Sequence, residues 1–535
     1  MAEVVAQALI NVYTTQNNDQ RAEAERIIEE YKQTEYLDFL VALIEVPLQS
    51  PNPTLNSACI IMLFGESKRS SIRSSFFYSP DNQRVFLEQL SPRIVPLFQV
   101  SYIEPNHKRL LSIAIARAAN YSFHTFDDSS FQEFLFSLFQ GNDHLAVYLI
   151  QIFSEMINIT PSLCGIDVER YFTIIQHYVQ NRELFIECCN LFFSVVRCCN
   201  QEEETPHQLF QQLLSNVLQV PDKISSFNEI LARFSRSNAL FFAPVVEIII
   251  PFICEGLNIG NRQICISSLN FIHCLKIGSK EMLQGLTQYH EIIILKFIQI
   301  IGSVTEGYSD DEDQNKLNDD SLSSIARETF SNIFECIFPT YLDIFERHIS
   351  TIQGLEWQLI YAHCAIFSDT NFYSLANNKS QLIQEFIIHI INLINEEATP
   401  LHLKVTILDT LNQFYKSNIY KAQFSTFPII YPIFLMSLEH FNDFPNWFLI
   451  RIMKAFKNFL RIKLSHYSKY ILLNQEQLSL IPLQRLSELQ RLGIDFSRSF
   501  YSSFSETLRN IFTFVSAIFE KNVQQKEWIK ELNTH

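Results

Sequence analysis

Glycine is scarce in this chain, accounting for only 11 of the 535 residues, or about 2% against an average near 7%. Phosphate-binding loops, β-hairpins and β-barrels depend on glycine at turns and bulges. The sequence also lacks a glycine-rich phosphate loop and a G-x-S-x-G nucleophile elbow. These absences argue against nucleotide-binding and hairpin-rich folds.

Basic residues are outnumbered, with 41 Lys and Arg against 57 Asp and Glu, so the formal charge is −16. A chain that grips a phosphate backbone needs a positive surface. We therefore expect no direct binding of nucleic acid. An acidic surface favours a basic protein partner, because long-range attraction speeds encounter.

Catalytic and metal-binding patterns are also missing. His290-Glu291 begins like an H-E-x-x-H motif, but Ile294 stands where the second histidine is needed. The adjacent pairs His273-Cys274 and His363-Cys364 point about 100° apart on a helix, so neither pair converges on one metal. The sequence predicts no metal, no cofactor and no enzymatic activity.

The cysteines do not form a disulfide framework. There are 11 of them, an odd number, and no C-x-x-C pair occurs. Cys188-Cys189 and Cys198-Cys199, the densest cluster, lie in an apolar helical pattern, so we interpret them as core residues rather than zinc ligands. A reducing compartment is the simplest interpretation, and the N-terminus shows no secretory signal.

Two apolar stretches resemble membrane spans. Residues 239–257 carry two charges, Glu247 and Glu255, and residues 424–438 carry none. Prolines interrupt both stretches, and neither offers about 20 uninterrupted apolar residues. Buried helices are the preferred interpretation, so we expect no membrane insertion.

Helical periodicity fills most of the chain. Apolar residues recur at i, i+3, i+4 and i+7, which places one apolar stripe on one face of each helix; examples are Val5, Ala8, Leu9 and Val12, and Leu55, Ala58, Cys59, Met62 and Leu63. Turn formers separate these segments, including Asn17-Asn18-Asp19, Pro47 and Ser50-Pro51-Asn52-Pro53. Long strand-type alternation is absent from the sequence. The pattern predicts an all-α chain.

The predicted helices recur with a loose period. Candidate starts are separated by 38, 38, 78, 97, 44 and 44 residues, and they are Asn106, His144, Arg182, Gly260, Trp357, Leu401 and Pro445. A unit of about 40 residues with two helices is typical of HEAT and armadillo repeats. The sequence therefore predicts an α-α superhelix, a HEAT/armadillo-like solenoid of about a dozen helix pairs.

One segment, residues 308–320, is acidic and poor in apolar residues. Dense like charges repel, so we expect an exposed loop between two helices. It is not an EF-hand, because a loop starting at Asp311 has Lys316 at position six and Leu322 at position twelve. A solvated linker within one repeat is an equally good interpretation of the segment.

The N-terminal residues resemble the first repeat of importin-β-type nuclear transport receptors, the karyopherins. The match runs through Val5-Ala6-Gln7-Ala8-Leu9 and Asp19-Gln20-Arg21-Ala22-Glu23-Ala24-Glu25-Arg26-Ile27-Ile28, followed by apolar helices at 36–44 and 55–63. Residues 355–362, with Trp357, look like the helix that often follows an acidic insertion in these receptors. Residues 399–406 are similar to the start of the next helix.

The resemblance implies a function and a candidate site. Receptors of this type bind the GTPase Ran, protein cargo and Phe-Gly nucleoporins, and they move between cytoplasm and nucleus through the nuclear pore. Their acidic insertion contacts Ran or basic cargo, and the positions that would fill this role are Asp310, Asp311, Glu312, Asp313, Asp319 and Asp320. The resemblance implies a monomer that works by changing the curvature of the solenoid.

The resemblance also suggests a division of the chain. Residues 1–100 would form importin-β N-terminal-like repeats and 101–305 HEAT-like repeats. Residues 306–322 would be the acidic loop, and 323–535 further HEAT-like repeats with capping helices. A HEAT scaffold without a transport role, of the phosphatase-scaffold or coat-adaptor type, is the alternative. The sequence leaves open the cargo, the direction of transport and whether a C-terminal half is missing.

Overall fold

The computed structural model describes residues 2–68, 86–126, 130–139, 143–159, 161, 167–199, 204–303, 321–350, 356–370, 380–396 and 398–416. Within these ranges the secondary structure is helical, with no strand. The prediction of an all-α chain is confirmed. The chain divides into two compact units, Met1–Phe234 and Ser235–His535. The finer division predicted from the sequence stays a prediction.

The first unit is built from helices of nine to 22 residues. They are α1 Ala2–Thr14, α2 Asn18–Thr34, α3 Tyr36–Gln49, α4 Pro53–Lys68, α5 Pro105–Phe126, α6 Ser130–Leu138, α7 Ala146–Ile159, α8 Val168–Tyr178, α9 Phe185–Val196, α10 Glu204–Val217 and α11 Ile224–Asn238, which crosses the boundary between the units. Short π, α and 3₁₀ turns occupy 86–99.

The second unit is also built from helices. Its helices are α12 Val246–Gly256, α13 Arg262–Gly278, α14 Lys280–Gly285, α15 Thr287–Ile301, α16 Leu322–Ile349, α17 Trp357–Asp369, α18 Ser380–Asn395 and α19 Leu401–Lys416. A 3₁₀ segment, Ala239–Val245, precedes α12.

Polar residues cap the helices where the sequence predicts turns. Asn17 accepts hydrogen bonds from the backbone amides of Asp19 and Gln20, which starts α2. Asn261 and Ser279 start α13 and α14 in the same way. These caps satisfy amides that have no partner inside the helix.

The break predicted at Pro47 is wrong, because α3 continues to Gln49. A proline removes one amide from a helix, but this one lies in the last turn. There the Tyr102 hydroxyl contacts the carbonyls of Pro47 and Leu48 at 2.7 and 3.1 Å. Tertiary contact therefore supports the end of the helix.

Each unit has two layers of helices. In the first unit α4, α5, α7 and α9 pack in series, and α11 joins α9 through the ring pairs Phe185–Phe227 and Phe193–Phe234. Helices α8 and α10 pack against α9 from the other layer. In the second unit α12, α15, α17 and α19 form one layer, and α13, α16 and α18 form the other.

The hydrogen bonds between neighbouring repeats show the repeat period directly. Side chains about 40 residues apart are repeatedly bonded: Ser154 to Ser194 across 40 residues, Arg182 to Asp222 across 40, and Arg327 to Asp369 across 42. Such a constant separation means that each structural unit is packed against the next copy along the chain. Helices α5, α7, α9, α13, α17 and α19 begin within three residues of the predicted starts. The start predicted at Pro445 lies outside the described residues.

Phenylalanine fills the core of both units. Phe153 packs against Phe136, Phe139 and Tyr171, with ring centroids 4.6–5.8 Å apart. Phe192, Phe193, Phe241 and Phe242 are all buried, as the sequence predicts. Cys188 and Cys189 are fully buried free thiols, and burial raises the pKa of the Cys188 thiol to about 12. They are core residues.

One helical run, Pro221–Gly256, meets the length and composition criterion for a membrane span, with a mean hydropathy of 1.9 in its apolar window. Inside the structure 44% of that window is buried. The core helix of a soluble protein passes the same test, so this run does not distinguish a membrane span from a buried helix. The absence of membrane insertion stays a prediction.

An ion pair between α16 and α17 gives a first prediction. The Arg327 guanidinium contacts both carboxylate oxygens of Asp369, at 2.7 and 3.0 Å. Burial acts to lower the pKa of Arg327, but the hydrogen bond and charge of Asp369 outweigh it and raise the pKa. Replacing Asp369 with asparagine removes the carboxylate that the guanidinium contacts and leaves a half-buried cation with only the charge of Asp409 to offset it. We expect a loss of about 2 kcal/mol in the free energy of unfolding, measured by thermal or urea denaturation.

The matched control is Glu291→Gln. It breaks the pair with Arg347, whose side chains are 52% and 60% exposed. Exposed pairs contribute between zero and about 1 kcal/mol. Equal losses in the two variants would contradict the assignment of Arg327–Asp369 as a structural pair.

Candidate partner-binding groove

A polar groove of about 280 Å³ crosses four consecutive helices of one layer in the first unit. Helices α5, α7, α9 and α11 each contribute side chains to its wall. The lining comprises Arg109, Ile113, Gln151, Ser154, Glu155, Asn158, Ile186, Glu187, Asn190, Ser226, Glu229, Ile230 and Arg233. We call this the inter-helix groove. It exists because each helix of the layer turns its apolar stripe to the core and leaves a polar edge beside its neighbour.

Two asparagines are oriented by arginines within the groove layer. Asn158 accepts hydrogen bonds through Oδ1 from Arg197 at 3.2 Å and from Ser194 at 3.0 Å. Asn190 accepts through Oδ1 from Arg233 at 3.4 Å. Because arginine only donates, these contacts fix which side of each amide carries the oxygen. Each Nδ2 group therefore points away from its arginine.

Arg197 also contacts the next helix of the same layer, α11. Its guanidinium lies 5.8 Å from the centroid of the Phe234 ring. Burial, and then the charge of Arg233, lower the pKa of Arg197. The hydrogen bond from Arg197 to Asn158 is exposed to solvent, so the orientation of Asn158 rests on its two donors, Arg197 and Ser194.

Gln151 joins α7 to α9 and leaves one atom unsatisfied. Its Nε2 donates to Glu187 at 3.3 Å. Its Oε1 is buried and has no hydrogen-bond partner in the described part of the chain. A buried acceptor without a partner costs about 1–3 kcal/mol. A donor placed in the groove would recover part of that energy.

Three carboxylates lie in the groove, one on each of three successive helices: Glu155 on α7, Glu187 on α9 and Glu229 on α11. Within the described ranges no basic side chain forms an ion pair with any of them, although Arg109 and Arg233 line the same cavity. The arrangement suits a ligand that brings cationic groups at a repeated spacing.

The acidic loop predicted as the partner site lies outside the described residues. This applies to all six of its candidate positions, Asp310, Asp311, Glu312, Asp313, Asp319 and Asp320. The described residues on either side are held together. Phe297 of α15 packs on Phe330 of α16, with ring centroids 5.4 Å apart, and Ser323 Oγ donates to the Ile301 carbonyl at 2.8 Å.

The inter-helix groove was not predicted from the sequence. Its residues are ordinary polar positions on helices whose apolar positions carry the periodic signal. A weak signal exists, since Glu155 and Glu187, like Asn158 and Asn190, are separated by 32 residues. Side-chain clusters of three or more His, Cys, Asp or Glu suited to a metal ion do not occur among the described residues.

The two-layered packing, the recurrence of contacts at about 40 residues and the polar edge define a class: a HEAT-repeat array that presents an extended surface. No protein-family model and no curated protein matches the sequence.

The chain is similar to crystal structures of the karyopherin Kap121p. Kap121p alone has a TM-score of 0.71 at 15% identity, covering 100% of this chain and 51% of that chain. Kap121p bound to RanGTP has a TM-score of 0.69 at 14% identity, covering 99% and 55%. Kap121p bound to Nup53p has a TM-score of 0.70 at 15% identity, covering 98% and 50%.

These values establish the fold. The chain is an importin-β-like HEAT-repeat protein in architecture, so the predictions of fold class and of the karyopherin resemblance are confirmed. The chain spans about half the length of the Kap121p chains that it matches.

Proposed function

We propose that this protein is a nuclear transport receptor of the karyopherin type. It binds a Ran-type GTPase, protein cargo and Phe-Gly nucleoporins, and it acts as a monomer without catalysing a reaction. It moves between cytoplasm and nucleus through the nuclear pore. The observation that carries the proposal is the fold likeness to Kap121p over nearly the whole chain, including a structure bound to RanGTP.

The contacts between repeats support a mechanism based on curvature. Exposed ion pairs such as Arg170–Glu133 and Arg182–Asp222 link neighbouring repeats. Each such pair contributes between zero and about 1 kcal/mol, so a small rotation between repeats exchanges them at little cost. Summed over many interfaces, small rotations change the curvature of the array. Ran and cargo that prefer different curvatures would then weaken each other's binding.

Exposed apolar side chains support the nucleoporin part of the proposal. Leu240 and Ile277 are 65% and 53% exposed, and they flank the close approach between Ala239 and Gly278. Apolar groups beside a helix–helix contact are the kind of surface on which phenylalanine side chains of a partner can pack.

The decisive experiment compares binding of purified Ran loaded with GTP or with GDP. A transport receptor should retain Ran in one nucleotide state much more strongly than in the other, since nucleotide state drives cargo exchange. Equal or absent binding would exclude the proposal. A stable partner captured independently of nucleotide would favour the non-transport scaffold instead.

The acidic loop gives the next prediction. We expect neutralisation of Asp310, Asp311, Glu312, Asp313, Asp319 and Asp320 to asparagine or glutamine to weaken binding of Ran or of a basic cargo about tenfold at low salt. The reason is the loss of long-range attraction to lysine and arginine clusters. The effect should shrink as ionic strength rises, and titration calorimetry at two salt concentrations measures it.

The control removes three carboxylates elsewhere, half the number removed from the loop. Glu3, Glu29 and Glu169 are exposed carboxylates on α1, α2 and α8. Their replacement by glutamine should change affinity by less than about twofold. If the loop variant behaves like this control, the loop is a solvated linker and not a partner site.

A further inference from the structure

We propose that Cys198 and Cys199 form a reversible dithiol modification site at the C-terminal end of α9. A low-molecular-weight disulfide that carries carboxylates oxidises the two thiols to a disulfide between neighbouring residues. The inference goes beyond the proposed function and does not rest on it. The observations that carry it are the exposure of the two thiols, the position of their sulfur atoms and two arginines nearby.

The two thiols differ in exposure from the other cysteines that the structure describes. Cys198 and Cys199 are half-exposed, whereas the other eight of the ten described cysteines are buried. The sequence predicts core positions for both, but α9 ends at Val196 and they lie in the turn that follows. A thiol reacts only where a reagent can reach it, so this pair is the accessible one within the described ranges.

Both sulfur atoms lie at the same end of the helix. Cys198 Sγ donates to the carbonyl of Ser194 at 3.5 Å, and Cys199 Sγ donates to the carbonyl of Val195 at 3.3 Å. These carbonyls belong to consecutive residues of the last turn, where backbone acceptors lack helical partners. The hydrogen bonds favour the protonated thiols at rest and keep the two groups on one helix end.

Two guanidinium groups act on this helix end. Arg197 directly precedes the pair, and its Nη1 donates to Asn158 Oδ1 at 3.2 Å. Burial and then the charge of Arg233 lower the pKa of Arg197, while the charge of Cys198 raises it. The three groups therefore lie within electrostatic reach of one another. Nearby cations stabilise a thiolate once its proton has left, and they attract the carboxylates of an anionic disulfide.

The exchange proceeds in two balanced steps. Loss of a proton to water gives the Cys198 thiolate, which attacks one sulfur of the small disulfide. The other half leaves as a thiolate and takes up a proton. The Cys199 thiolate, formed by loss of its own proton, then attacks Cys198 Sγ in the mixed disulfide and displaces the second half in the same way. Two protein thiols and one small disulfide thus give one protein disulfide and two small thiols.

The product is strained, and small thiols reduce it readily. Consecutive Cα atoms are about 3.8 Å apart, which is shorter than the range of about 4.4–6.8 Å in ordinary disulfides. Strained disulfides have more oxidising potentials and belong to the labile class. The dithiol is therefore the resting form in a reducing compartment, and the disulfide forms when oxidant accumulates.

The test treats the full chain with glutathione disulfide and follows it by intact mass and peptide mapping. We expect the peptide that contains Cys198 and Cys199 to lose its two thiol hydrogens, and excess reduced glutathione to restore them. Cys199→Ser removes the second attacking thiol and should trap a glutathione mixed disulfide at Cys198. Cys198→Ser should slow modification of this peptide about tenfold or more. The result for the unsubstituted chain needs no variant to fold.

A ratio of rates tests the part played by the arginines. Arg233→Gln removes a charge but keeps a donor for Asn190, which Arg233 contacts at 3.4 Å. Each protein reacts with anionic glutathione disulfide and with uncharged hydroxyethyl disulfide, and the ratio cancels any change in the thiol itself. We expect the anionic-to-neutral ratio to fall about threefold in the variant at low salt. An unchanged ratio, a mixed disulfide that persists in the unsubstituted chain, or reaction confined to other cysteines would overturn the inference.

Discussion

Replacing Gly278 by alanine is expected to destabilise the second unit by about 3 kcal/mol, the upper end of the range for overpacked cores. An added Cβ would lie 1.9 Å from the carbonyl oxygen of Ser235 and 2.9 Å from Cβ of Ala239. The Ser235 carbonyl belongs to the backbone of α11, and Ser235 is fully buried. A backbone group in a buried helix cannot rotate aside as a flexible side chain can. Helices α11 and α13 would have to separate.

Gly65→Ala is the matched control, because it makes the same chemical change inside a helix. Nothing lies within 4 Å of the Cβ position at Gly65, in α4. There the higher helix propensity of alanine should stabilise the protein by up to about 1 kcal/mol. The two variants should therefore shift the thermal midpoint in opposite directions in scanning calorimetry. A neutral Gly278→Ala variant would contradict the close approach of α11 and α13.

The helices could be predicted from the sequence because their signal is local. The stripe of Ala326, Phe330, Ile333, Phe334, Ile337 and Phe338 in α16 requires only the 3.6-residue period. Five of the six residues are buried in the structure, and Phe338 is half-buried. The repeat period of about 40 residues can also be predicted from the sequence, because each repeat must bury one apolar face against the next. The fold class could therefore be predicted from the sequence alone.

The inter-helix groove and the close approach at Gly278 could not be predicted from the sequence. Pairing Gln151 with Glu187, or Asn190 with Arg233, depends on the register between helices in different repeats. That register is set by packing of side chains such as Phe193 on Phe234. Because glycine is scarce, each glycine inside a helix is expected to serve a structural purpose. Only the position of the neighbouring backbone shows what that purpose is.

The second large effect on stability is expected when the pH is lowered. A chain of three polar rings, of which Tyr341 and His363 are buried and His348 is half-buried, links α16 to α17 in the second unit. His363 Nδ1 lies 3.0 Å from the Tyr341 hydroxyl, and its Nε2 lies 2.9 Å from Nδ1 of His348. His363 is fully buried. Burial, and then the charge of His348, lower the pKa of His363 to about 3.

This depressed pKa determines how the stability depends on pH. In the unfolded chain the imidazole has a pKa near 6.5, so between about pH 6.5 and pH 3 the unfolded state binds a proton that the folded state does not. His363 therefore favours unfolding increasingly as the pH falls through this window, and its effect vanishes above it. At about 1.4 kcal/mol per pH unit, the loss at pH 5 amounts to about 2 kcal/mol.

His363→Gln should remove this dependence while keeping a donor and an acceptor at the position. We expect the variant to be less stable than the wild type by about 2 kcal/mol near pH 7.5, because glutamine fits the ring-shaped site poorly. The difference should largely disappear near pH 5, where the wild type has lost the same amount. Urea denaturation of both proteins at the two pH values measures this convergence. If His363 only filled space, the difference in stability between the two proteins would be the same at both pH values. The cost of a poorly filled site does not change with the proton concentration.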